Sequence, residues 1–234
     1  MIENESIYKN DTGELLIKKL STLGQEYYFK EQDNMNYVFY DNTLYVHSKN
    51  KNFLKGLYLF RLVKNDFDKW LKINKEVSFI EKFRPFFKNE KIQIKEGQEK
   101  YSYDINHAYW RVAFINGYIS EKTYEHGLKL KQKNDEFKQL YCMALSSQGR
   151  SKTLEGYVGK ENNGKKIVIE KNIQHRFIYD DIRNKTYSIM DEIAFILKDD
   201  FVEYNIDCIT FLGIENKKIV ENFFESKNLT FKQI

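Results

Sequence analysis

From residue 25 to 47, aromatic and β-branched positions alternate with polar ones, so "EYYFK" and "NYVFYDNTLYVHS" read as β-structure. In the second run Asp41-Asn42 is placed as a two-residue hairpin turn. "GLYLFRLVK" (56–64) predicts a further strand. In "NDFDKWLKI", Asn65 or Asp66 would cap a helix with Trp70 and Leu71 on its apolar side. "SFIEKFRPFF" predicts a short helix that stops near Pro85, the chain's one proline. "KNEKIQIKEGQEK" (88–100) reads as a short strand and a polar link containing Gly97. The pattern therefore predicts a β-rich N-terminal subdomain over 1–96 and a second domain over 97–234.

The second part begins with the strand "KYSYDINHAYW". "SEKTYEHGLKLKQKNDEFKQLYCMAL" predicts a helix capped at Ser120 and interrupted near Gly127. "GYVGKENNGKKIVIEKN" predicts a hairpin with its turn at Asn163-Gly164. In "DDIRNKTYSIMDEIAFILKDD", Ile182, Ile189, Ile193, Ile196 and Leu197 recur at helical spacing. "FVEYNIDCITFLGI" then reads as two short strands with Asp207 at or near their turn, "NKKIVENFFESKN" as a helix and "LTFKQI" as a strand. The expected fold class is α+β: a mostly antiparallel sheet with helices packed on one face, plus the β-rich N-terminal part.

Composition narrows the function classes. The chain has 234 residues, 41% hydrophobic and 16% aromatic, enough for a substantial core. A mean hydropathy of −0.65 and 31% charged residues predict a soluble protein. The net charge of +4 permits nucleic-acid binding without demanding it. Cys142 and Cys208 stand far apart, the four histidines are scattered, and no zinc-ligand spacing occurs. The polar start "MIENESIYKN" is unlike a signal peptide, and no apolar run approaches the ~20 residues a bilayer span needs. Reduced thiols, a cytoplasmic location and no membrane partner are expected. There is no internal repeat.

Two charges interrupt apolar patterns. In "YSYDINHAYW" (101–110), Tyr101, Tyr103 and Ile105 alternate to one face, and Asp104 points to the other at the strand's exit. In "VEYNIDCITF" (202–211), Asp207 stands at a hairpin tip. Either aspartate alone has an ordinary use in capping a turn. As a pair on adjacent strands, within about 4–7 Å, they would repel each other unless divalent cations neutralise them. Mg²⁺ favours such hard oxygen ligands, together with substrate phosphates.

"DINHAYW" resembles the first palm motif of family B DNA polymerases, Asp-x-x-Ser-Leu-Tyr-Pro, and "EYNIDCITF" resembles their hairpin motif, Tyr-x-Asp-Thr-Asp-Ser. The order of elements from about 99 to 234 is similar to that family's. The resemblance implies a palm-like domain over 97–234 with a short helical finger insertion at about 119–152. It implies that Asp104 and Asp207 are the catalytic metal ligands, joined by the backbone carbonyl of Ile105, for two Mg²⁺ or Mn²⁺ ions. It implies nucleotide contacts from Tyr109, under the incoming sugar, and from Lys138 to the triphosphate, with Arg150 and Lys152 as further phosphate contacts. Departures from the motifs are Asn205 for the first aspartate of the hairpin, His107 for serine and Trp110 for proline. In the helix motif, Cys142, Met143, Leu145 and Ser146 replace the family's residues and only the lysine remains.

Two functions follow from the resemblance. One is a minimal DNA polymerase adding nucleotides to a 3′-hydroxyl, with DNA and deoxynucleoside triphosphates as partners, from a phage or mobile element and so located in the host cytoplasm. The other is a catalytically inactive palm descendant that binds nucleic acid, serves replication or builds a viral structure. With no room for a thumb, a protein partner or self-association would replace it. The aromatics at 27–29 and 37–45 could stack on unpaired bases or face a sheet's core.

Overall fold

A computed structural model describes residues 4–7, 12–32, 35–40, 43–48, 51–74, 84–149, 152–158, 164–169 and 173–234. Within them the chain forms β1 (Asn4–Ile7), α1 (Thr12–Thr22), β2 (Tyr28–Gln32), β3 (Met35–Tyr40), β4 (Thr43–Ser48), α2 (Lys51–Asn74), β5 (Phe86–Lys88) and β6 (Lys100–Ile105). It continues as α3 (Ala108–Ile115), α4 (Glu121–Lys131), α5 (Asp135–Ser146), β7 (Lys152–Val158), β8 (Gly164–Ile169) and α6 (Ile173–Leu197). β9 (Phe201–Asn205), β10 (Cys208–Leu212), α7 (Glu215–Ser226) and β11 (Phe231–Gln233) complete it. Helices and mainly antiparallel sheets make this an α+β protein. Among the described residues no helix is long and apolar enough to cross a membrane.

Two compact units interleave along the chain. The first holds 1–65 and 125–176, the second 66–124 and 177–234. The division expected near Gly97 is therefore corrected, and strand pairing supplies the reason. β2 pairs with β7, setting Tyr28 opposite Val158 and Phe29 opposite Tyr157, so the β7–β8 hairpin extends the N-terminal sheet. From Glu125 onward, the helices expected as a finger insertion also fall in the first unit.

The first unit carries a six-stranded sheet in the order β1-β4-β3-β2-β7-β8, with β1 parallel to β4 and the other pairs antiparallel. Leu20, Tyr27 and Val38 form a small core that Leu16, Ile17, Phe29, Tyr40 and Tyr45 extend. Gly56 of α2 is packed so closely that a Cβ there would lie 2.6 Å from Leu140 Cδ1.

The second unit holds an antiparallel sheet in the order β11-β6-β10-β9-β5. Tyr103, Ile105, Tyr204, Ile209 and Phe211 point to one face and pack against Ala108 of α3, Met190, Ile193, Ala194 and Leu197 of α6, and Val220 and Phe224 of α7. Period-2 alternation therefore sends Ser102, Asp104, Cys208 and Thr210 to the opposite face.

Several local expectations need correction. "GLYLFRLVK" is not a strand but part of the 24-residue α2. Its apolar positions continue at four-residue spacing, so that Leu59, Val63 and Phe67 are all buried, over a length no strand sustains. Asp66 thus lies inside a helix and does not begin one. Its carboxylate instead accepts the backbone N–H and the hydroxyl of Ser120 at 2.8 and 2.7 Å. Phe86 and Phe87 enter β5, while 78–83, where the short helix stopping near Pro85 is expected, lie outside the described residues. No strand forms over 89–99.

The break expected at Gly127 occurs instead at 132–134, where the Asn134 side chain accepts the Phe137 N–H at 3.0 Å and starts α5. Gly164 is the first residue of β8; Asn163 and the Asp41-Asn42 turn lie outside the described residues. In α6 the buried stripe includes Ile182, Met190, Ile193 and Leu197, but Ile196 is 44% exposed.

Candidate functional site

Asp104 points to the sheet face opposite the core helices, and Asp207, in the adjoining turn, feels its charge. Asp104 is the penultimate residue of β6 and is in register with Cys208 of β10. Asp207 precedes Cys208 in the two-residue turn between β9 and β10. Its carbonyl oxygen accepts the Ile105 N–H at 2.9 Å, which locks the turn to the exit of β6. On the other side of the turn, the Ile206 N–H donates to the Pro85 carbonyl at 2.6 Å. Ile206 itself has φ 57°, a backbone region that β-branched residues rarely adopt.

The two carboxylates feel each other. Burial and then the Asp104 charge push the Asp207 carboxyl up to about 6; its own backbone N–H and the Lys232 ammonium pull the other way. Burial, then the charges of Asp104, Asp207 and Glu203, also raise the Cys208 thiol. The Ser102 and Thr210 hydroxyls, one cross-strand row further along, are 2.9 Å apart.

Lys232 is the component that sequence reasoning missed. β11 pairs with β6 on its outer side and sets Lys232 in register with Asp104. Its Nζ lies 3.4 Å from Asp104 Oδ2. Alternation in "LTFKQI" puts Lys232 on the face opposite Phe231, but only the pairing with β6 shows which residue it meets.

The expected nucleotide contacts are placed as follows. Tyr109 lies on α3 with its hydroxyl 3.0 Å from that of Tyr187. The Tyr179 and Tyr187 rings stand at 74° and 72° to the Tyr109 ring. Burial, followed by the bond to Tyr187, raises the Tyr109 hydroxyl's pKa. Arg183 adjoins this group, its Nε donating to Tyr187 Oη at 3.3 Å.

Trp110, expected at a motif's proline position, is a core residue, 3% exposed. His107 has φ 57° at the start of α3, and its carbonyl accepts the Arg111 N–H at 2.8 Å. Lys138 is exposed on α5 in the first unit, whereas the carboxylates belong to the second. Lys152 is the first residue of β7, and Arg150 lies outside the described residues.

The donor set suits a hard cation: two carboxylates, one held above its ordinary pKa by burial and then by the other's charge. Among the described residues no group of three or more His, Cys, Asp and Glu gathers to hold a metal. Two carboxylates with substrate oxygens completing the shell are the usual Mg²⁺ arrangement. Comparison with protein-family models, curated proteins and solved structures returns no match for the chain.

Proposed function

We propose that the second unit is a metal-dependent nucleotidyltransferase centre, a reduced DNA polymerase that extends a 3′-hydroxyl. The observation that carries this reading is the tie between the Asp104 strand and the Asp207 turn, where burial and then the Asp104 charge hold the Asp207 carboxyl near 6. The two carboxylates and the Ile105 carbonyl would hold Mg²⁺ or Mn²⁺, which supplies Lewis-acid stabilisation of a phosphoryl transfer when bound. Asp104 and Asp207 would present oxygen ligands from a strand and from a turn that the Ile105–Asp207 hydrogen bond ties together. Tyr109 would stack beneath the sugar, held by its hydroxyl bond to Tyr187.

The test is nucleotide incorporation on a primed DNA template with Mg²⁺ and then Mn²⁺. Extension by the wild type that is lost in Asp207→Ala supports the reading; absence of incorporation with both metals contradicts it.

One observation favours a second reading, in which a palm-derived fold binds nucleic acid or a replication partner without catalysis. Lys232 already neutralises Asp104 at 3.4 Å, so the carboxylate has a countercharge without any metal. Binding of primed DNA unaffected by chelation, without incorporation, is the result that selects it.

A further inference from the structure

Lys232 occupies an unusual place for a surface lysine. β11 is the outermost strand on its side of the sheet, tied to β6 through Asn106 N–H to Thr230 O at 2.8 Å and Ile234 N–H to Ser102 O at 3.0 Å. That register leaves Lys232 on the same sheet face as Asp104, over the carboxylates. Its side chain is 59% exposed and that of Asp104 is 27% exposed, so the ion pair adds little to stability. The pair nevertheless reduces the net charge of the two carboxylates by one. An exposed four-carbon stem can also swing the ammonium out to water at small cost.

We infer that Lys232 is a built-in countercation that competes with a divalent cation for Asp104 and is displaced when the cation enters. The inference rests on the metal-site reading above and adds a device that sets the threshold cation concentration. With Lys232 in place the carboxylates stay close together without a metal; with it removed, they present their full double charge. A unit charge within a few ångströms of the site, screened by water and salt, alters divalent affinity by about three- to tenfold.

The experiment is a Mn²⁺ titration of the full chain, followed by the electron paramagnetic resonance signal of free Mn²⁺, in the wild type, Lys232→Gln, Lys232→Arg and Asp207→Asn. The expected result is a site lost in Asp207→Asn, about three- to tenfold tighter in Lys232→Gln and close to wild type in Lys232→Arg. Equal or weaker binding in Lys232→Gln, with the wild-type site present, overturns the countercation and leaves the metal site standing. No Asp207-dependent binding in either the wild type or Lys232→Gln overturns both. Lys232→Met serves as the second neutral variant and is expected to match Lys232→Gln.

Discussion

The Ile105 N–H donates to the carbonyl oxygen of Asp207 at 2.9 Å, so a strand exit and a hairpin tip a hundred residues apart are held as one piece of backbone. Asp104 precedes the donor and Cys208 follows the acceptor, and those two are in register. The backbones that carry Asp104 and Asp207 are therefore tied together, and the charge of Asp104 is felt at Asp207.

Burial of Asp207, and then the Asp104 charge, give stability a pH dependence. The Asp207 carboxyl is raised from 3.8 to about 6 in the folded chain. A raised carboxyl favours folding while it is protonated. Its contribution is full below pH ~3.8 and is lost as pH rises through ~6. Asp207→Asn is expected to remove this loss and to be more stable than wild type at pH 7.5, by on the order of 1 kcal/mol after solvent screening. Urea melts at pH 4.5 and 7.5 check it; a difference that grows toward low pH would contradict the sign.

The hairpin tip carries a backbone cost. Ile206 has φ 57° and is 38% exposed, so little burial offsets the conformation. Ile206→Gly is expected to stabilise by about 1 kcal/mol, read from thermal or urea melts, because glycine adopts this region freely. A loss of similar size would mean that the side chain packs more than its exposure indicates.

Asp66 stabilises the start of α4 from within another helix. Its carboxylate accepts both donors of Ser120, and the Ser120 hydroxyl accepts the Thr123 N–H at 3.3 Å. Asp66→Ala is expected to cost about 2 kcal/mol, since two bonds go and the residue is only 8% exposed. Ser120→Ala, losing the hydroxyl but keeping the backbone bond, is expected to cost about half as much in the same melts.

Tyr187 holds Tyr109. Tyr187→Phe removes the 3.0 Å hydroxyl pair and is expected to cost about 1 kcal/mol. If Tyr109 lies under a sugar, the same variant relaxes discrimination between deoxy- and ribonucleotides. Single-nucleotide incorporation with each kind checks it, and unchanged discrimination would separate Tyr109 from the sugar.

Much of the second unit was legible because its signals are local. Tyr103 and Ile105 alternate with Asp104 in six residues, Asp207 sits in a two-residue turn, and α7 and β11 follow without ambiguity. The failures share one physical cause, that local pattern does not encode partners. The apolar run at 56–64 fits a strand template as well as a helix, and only its continuation to Asn74 decides. Asp66 looks like a cap for its own segment but caps one 54 residues away. The pairing of β7 with β2, which overturned the linear domain division, and of Lys232 with Asp104 are long-range registers that no window of sequence contains.

That Asp104 and Asp207 form one charge-coupled site is tested most directly by the side-chain carboxyl ¹³C resonance of Asp207, followed across pH in the wild type and in Asp104→Asn. The expected result is titration near 6 in the wild type and a clear downward shift once the Asp104 charge is gone. Titration of Asp207 in the ordinary carboxylate range, unmoved by Asp104→Asn, would contradict the coupled site and with it the reading of the second unit as a catalytic centre.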